Sequence, residues 1–150
     1  MLNQFTDYHL TMFNFANNVI WSKSLNADVN SVDLLFGKHP GYQSIIYAAS
    51  IVSGRMLMSR VKSITGDVEW TYGFKCSNNK KNLKMFLRDN VLSSFNVVAA
   101  TCLNEANIIR FTAIKISDDE ASASLAPMSN NYKIFDYPYP DAEVLGLYFG

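Results

Sequence analysis

The chain is 150 residues long, 49% apolar and 17% charged, with 13 basic and 13 acidic side chains. It is too apolar for a disordered polymer and too evenly charged for a generic nucleic-acid binder or an acidic mimic of one. Its length suits one domain, residues 1–150, with a core that needs no staples.

In chain order, Phe5, Tyr8, Met12, Phe13, Phe15, Ala16, Val19 and Ile20 recur at i, i+3, i+4 spacing, with Asp7, Thr11, Asn14 and Asn18 opposite. This pattern predicts an amphipathic helix over residues 5–20, capped by Asn3 and ending near Trp21. A polar connection follows from Ser22 to Asn30. Ser31 then caps a short helical turn through Phe36, closed by Gly37, before the Lys38-His39-Pro40-Gly41 break.

Tyr42–Ile64 is the longest run compatible with one helix. Arg55, Arg60 and Lys62 within it make a bilayer span costly, so it is expected to be a core helix. On a helical wheel Ser44, Arg55, Ser59 and Lys62 form a narrow polar stripe. So little polar surface calls for cover on two or three sides: the sheet led by Val68–Cys76 on one, the Phe5–Ile20 helix on a second, and a neighbouring subunit on a third if it is left bare.

Beyond Gly66 the period becomes two: Val68, Trp70, Tyr72, Phe74 and Cys76 alternate with Glu69, Thr71, Gly73 and Lys75, which predicts a half-buried strand. Leu83, Leu87, Val91 and Phe95 recur every four residues and predict a helix over residues 80–94, although Met85 and Leu92 fall off its apolar face. Phe95–Leu103 and Asn107–Ser117 read as a hairpin about Asn104-Glu105-Ala106. Ser117 and the acids Asp118, Asp119 and Glu120 open a short helix through Leu125, stopped by Pro127. Two strands, Tyr132–Phe135 and Glu143–Phe149, complete the chain around Asp136-Tyr137-Pro138-Tyr139-Pro140, whose prolines exclude a central strand. No internal repeat is recognised. The expected fold is α+β: the N-terminal helix and the long central helix on a mostly antiparallel sheet of about four to five strands.

Chemical motifs are scarce. No glycine-rich phosphate loop occurs, and His9, His39, Cys76 and Cys102 have no chelating spacing, so no cofactor and no metal are expected. His9-Leu10-Thr11 has the His-x-Thr form that two-histidine phosphodiesterases use twice. The second copy is missing here, and His9 is expected to pack in the core. Cys76 and Cys102 are expected as buried free thiols in a reducing compartment, with a single disulfide as the alternative. No basic n-region precedes an apolar h-region at the N-terminus, which gives a cytoplasmic expectation, or an intracellular site of virion assembly.

Two surfaces remain as binding candidates. Lys75, Lys80, Lys81, Lys84 and Arg88, with no acid among them, form a candidate anion-binding stretch. No aromatic stacking residues interleave with these lysines, which makes nucleic acid an unlikely partner. Tyr132, Phe135, Tyr137, Tyr139, Tyr148 and Phe149 crowd the C-terminal stretch, and rigid tyrosines beside prolines make good interface anchors. The leading functional expectation is a non-enzymatic protein–protein interaction protein. It would be a subunit of a larger assembly, viral or mobile-element ones included, or a small inhibitor or immunity-type protein. It would bind a protein partner or itself, and no membrane. The alternatives are a small hydrolase or transferase without a recognisable motif and, more weakly, nucleic-acid binding through Lys75–Arg88.

Overall fold

The computed structural model describes residues 8–25, 29–37, 45–79, 81–88, 95–117 and 131–147. Among them there is no helix. Ten strands form three antiparallel sheets: β1 (Tyr8–Phe13) with β2 (Val19–Leu25); β3 (Val29–Gly37), β4 (Ile45–Val52), β5 (Arg55–Lys62) and β6 (Val68–Lys75) in sequential order; and β7 (Lys84–Arg88), β8 (Phe95–Leu103), β9 (Ile109–Ser117) and β10 (Tyr132–Asp136), also in order. The α+β expectation is therefore overturned. Residues 8–20 of the expected first helix belong to a hairpin, the stretch 31–36 lies in strand β3, and the 80–94 stretch contributes β7. The short helix expected after Ser117 lies outside the described residues.

The largest correction concerns Tyr42–Ile64. Its residues 45–62 fold as β4 and β5, turned about Ser53 (φ 47°) and Gly54 (φ 75°), with Val52 opposite Arg55. Positive φ at both central residues is what a two-residue hairpin turn demands, and glycine supplies it without steric cost. The helical reading arose because β4 is covered on both faces: Ile45, Ile46, Tyr47, Ala48 and Ala49 are all buried in succession. A strand covered on both sides shows no alternation, so its apolar run imitates a buried helix.

The two four-stranded sheets pack face to face. Alternate residues Ile45, Tyr47, Ala49 and Ile51 of β4, Met56 and Met58 of β5, and Trp70 and Phe74 of β6 meet Leu83 and Met85, Val98, Ala100 and Cys102, and Ile114 and Ile116 of the second sheet. The strand expected at Val68–Cys76 is present, with Trp70 and Phe74 buried. Val68 is exposed because the register slips between Arg60 and Val61. At that bulge Arg60 and Glu69 form a buried ion pair, with Nε donating to Oε2 over 2.5 Å.

β6 lies at one edge of its sheet and β7 at the far edge of the other, beside β3, so the chain must cross the end of the sandwich between them. Residues 76–83 make this crossing and are tied down along it. The Cys76 N–H donates to Gly54 O, the Ser77 N–H to Leu103 O, and the Gly54 N–H to Asn78 Oδ1. A disulfide joins Cys76 to Cys102 of β8. Both sulphur-bearing residues are buried, as expected, but they are not free thiols.

Each sheet is also covered on its outer face. Trp21, Leu10 and Met12 of the N-terminal hairpin pack on Ile46 and Val61. On the other side Val144 of the C-terminal segment packs on Leu103 and Ile109. The second C-terminal strand expected at Glu143–Phe149 is not a strand over residues 143–147. This segment is held by Asn82, whose side-chain amide donates to Ala142 O at 3.3 Å and accepts the Val144 N–H at 3.0 Å.

Candidate interaction surface

β10 forms as expected, pairing with β9 in the register Tyr132↔Ile114 to Asp136↔Arg110. Its other edge has no partner strand among the described residues. Alternation splits its aromatics between two environments. Tyr132 turns toward the sandwich interior and meets the rings of Phe74 at 5.3 Å and Tyr72 at 5.7 Å. Phe135 turns outward and stacks on Phe111, with centroids 4.8 Å apart and planes 7° from parallel, yet it stays 58% exposed.

Immediately beyond, the Tyr137 N–H donates to Ile109 O, which keeps the proline-rich segment against the sheet. Tyr137 and Tyr139, both exposed, lean together at 5.2 Å. Ile134 is also exposed, so the β10 edge of the second sheet carries a run of uncovered apolar side chains, and Leu145 is exposed on the C-terminal segment. Sequence reasoning had singled out Phe135, Tyr137 and Tyr139 but not Ile134 or Leu145. Tyr148 and Phe149 lie outside the described residues.

Arg110 and Asp136, at the end of this edge, are paired. Arg110 grips Asp136 with two hydrogen bonds, Nε to Oδ1 at 2.7 Å and Nη2 to Oδ2 at 2.9 Å, while its Nη1 donates to Lys75 O. Asn104 Nδ2 adds a bond to Asp136 Oδ2. The Arg110 guanidinium, with help from Asn104, holds the Asp136 carboxyl below its ordinary range against the opposing effect of partial burial, and the same hydrogen bonds raise Arg110. This cluster fastens the ends of β6, β9 and β10 to one another.

The basic stretch does not gather on one face. Lys75 ends β6 and pairs with Glu105 at 3.1 Å, both well exposed. Lys81 and Lys84 line a separate cleft of about 830 Å³, together with Asp141 and Glu143 from the C-terminal segment. Arg88 is half-buried at the end of β7, and Lys80 lies outside the described residues. The acids in the cleft break up the positive field that a polyanion would require. His9 is exposed on β1 rather than packed in the core, and His39 falls outside the described residues. No cluster of metal-ligating side chains occurs among the described residues.

A second uncovered apolar surface went unread in the sequence. The β1–β2 turn exposes Phe13, Phe15, Val19 and Ile20. Its signal was available as the string Asn14-Phe15-Ala16-Asn17, which recurs as Asn104-Glu105-Ala106-Asn107 in the β8–β9 turn. In both turns the first Asn Oδ1 accepts the N–H groups two and four residues on. In both, the last Asn adopts positive φ, 60° at Asn17 and 58° at Asn107. Asparagine suits both ends of this loop, since its short amide bonds the local backbone and tolerates the left-handed region.

No protein-family model, no curated protein and no solved structure matches the chain.

Proposed function

We propose that this chain is a non-enzymatic interaction module that docks a protein partner through the β10 edge and the aromatic segment behind it. The partner is either another subunit of an assembly, a second copy of this chain included, or a target that the chain inhibits. The observation that carries the reading is Phe135, stacked on Phe111 yet more than half exposed on a strand with one edge unpaired among the described residues. An open edge offers main-chain hydrogen bonds to an incoming strand, and flanking apolar side chains supply its specificity. Tyr137 and Tyr139 extend the same surface at low entropic cost, being set beside prolines. The pairing of Lys75 with Glu105, and the acids facing Lys81 and Lys84, support a protein rather than a nucleic acid as partner.

The disulfide supports an oxidising location, outside the cytoplasm that the sequence suggested, because such bonds form and persist there. Among the described residues no helix is long and apolar enough to cross a membrane.

The test is size-exclusion chromatography with light scattering over a concentration series, combined with capture of partners from the native source. Phe135→Lys, and separately Tyr137→Ala with Tyr139→Ala, are expected to leave the melting temperature unchanged and abolish association. Association that survives both variants refutes the assignment of this surface.

A further inference from the structure

The N-terminal hairpin is fixed at its root and bare at its tip. At the root, Trp21 is buried against Ile46 and Val61, and its Nε1–H donates to Ser63 O at 2.7 Å. The ring lies so close to Gly66 that a Cβ there would sit 2.6 Å from it. Past Trp21 nothing among the described residues covers the hairpin: Phe13 is 55%, Phe15 111%, Val19 56% and Ile20 55% exposed. The sandwich thus holds the tip out in a fixed direction.

Features of this tip say what it meets. Val19 sits opposite Phe13, with Ile20 bulged between Val19 and Trp21, and all three are apolar and uncovered. The turn also satisfies its own backbone: the Asn14 N–H bonds Asn18 O, the Asn17 N–H bonds Asn14 O, and the Ala16 and Asn18 N–H groups bond Asn14 Oδ1, at 2.9–3.0 Å. Such an apex sheds water without stranding those four donors.

Charge is absent from Leu10 to Ser22, and the first ion, Lys23, is paired with Asp67 at 3.6 Å beside the root. At ~3.4 Å per residue the uncharged tip reaches about 10 Å beyond Trp21. That reach matches the 5–10 Å to which interfacial segments enter a bilayer. Finally, the β8–β9 turn with the same hydrogen bonds carries Glu105 where this one carries Phe15, so the loop itself does not require an aromatic apex.

We propose that the Phe15 tip inserts into the interfacial layer of a phospholipid bilayer and makes the chain a peripheral membrane binder. The case against membranes drawn from the sequence concerned only a spanning helix, and Tyr42–Ile64 holds two strands. The proposal goes beyond the docking role of β10 and does not depend on it. Because the tip has no cation of its own, insertion needs no anionic lipid and resists salt.

Flotation of the full chain with phosphatidylcholine vesicles, and with vesicles one third phosphatidylserine, tests this. The wild type is expected to float equally with both, at low and high salt. Phe15→Ser should cut partitioning by roughly tenfold or more with no change in melting temperature, and Phe15→Trp should show blue-shifted emission on adding lipid. Phe135→Ser should float like the wild type, which separates this tip from the β10 surface. The proposal is overturned if the wild type stays in the aqueous fraction, or if Phe15→Ser floats equally well. Flotation confined to anionic vesicles and lost in salt also overturns it. So does loss of self-association in Phe15→Ser without any lipid binding by the wild type, which assigns the tip to a second copy.

Discussion

Breaking the Cys76–Cys102 bond tests the architecture most directly, because that bond fixes the crossing between the two sheets. The bond closes a loop with a sequence separation of 26. The loop-closure relation gives about 3.5 kcal/mol of stabilisation for that length, through restriction of the unfolded chain. Urea unfolding of the oxidised protein, the reduced protein and the Cys76→Ala, Cys102→Ala double variant supplies the measurement. With a urea slope of about 2 kcal/mol per molar, reduction is expected to lower the midpoint by roughly 1.5–2 M. The double variant should fall somewhat further, because both side chains are buried and truncating them leaves packing defects. The crossing is also held by bonds to Gly54 and Leu103, so the native fold is expected to persist at reduced stability. A midpoint that moves by less than about 0.5 M at that slope would refute the claim that the disulfide staples the crossing.

Other measurements follow from single groups. Glu69→Ala strands the buried Arg60 guanidinium without its carboxylate and is expected to cost about 3–5 kcal/mol, whereas Arg60→Met with Glu69→Leu should lose far less; chemical denaturation of both separates the two outcomes. Thr112 is buried in β9 and its hydroxyl has no hydrogen-bond partner among the described residues, so Thr112→Val is expected to be neutral or stabilising by about 1 kcal/mol, and a marked loss would reveal a partner for the hydroxyl. Asn82→Ala removes both hydrogen bonds to Ala142 and Val144, and faster amide exchange at Val144 is the expected sign of a loosened C-terminal segment. Asp136 has its folded pKa held below the ordinary value, first by its hydrogen bonds from Arg110. Its contribution is therefore present above the unfolded pKa and is lost as pH falls through the folded one, and Asp136→Asn should flatten that acid limb of a stability profile.

The legible parts of the sequence were the strands with one covered face. β6 and β9 alternate, and the turn residues between β8 and β9 announce a hairpin. The unread parts have particular causes. β4 is buried on both faces and lost its alternation to cover from the N-terminal hairpin. Ser53-Gly54 was nevertheless a turn signal in the middle of the supposed helix. In β7 the core face is Leu83, Met85 and Leu87; a spacing of four is also twice a spacing of two, and Met85 was the residue that distinguished them. In the first hairpin the exposed Phe13, Phe15, Val19 and Ile20 supplied apolar positions that completed a helical pattern no core required. Periodicity assumes that apolar side chains are buried by the same chain, and the tip breaks that assumption.

The same assumption explains why the candidate surfaces stand out only in the folded molecule. Both large sheets have their inner faces against one another, and each has further cover on its outer face from a terminal segment. Apolar side chains still uncovered after this layering are not half of an unfinished core. Most of them collect at two places, the β1–β2 apex and the β10 edge with its tyrosines, while Ile64, Val68 and Leu145 are exposed apart from both. At the edge the aromatics lie on a sheet and beside an open row of backbone groups, which suits an incoming strand. At the apex they project from the end of a hairpin whose turn is internally bonded and which carries no charge from Leu10 to Ser22, which suits an apolar medium. The two surfaces therefore call for different occupants, and a single variant at either, Phe135→Lys or Phe15→Ser, leaves the other intact.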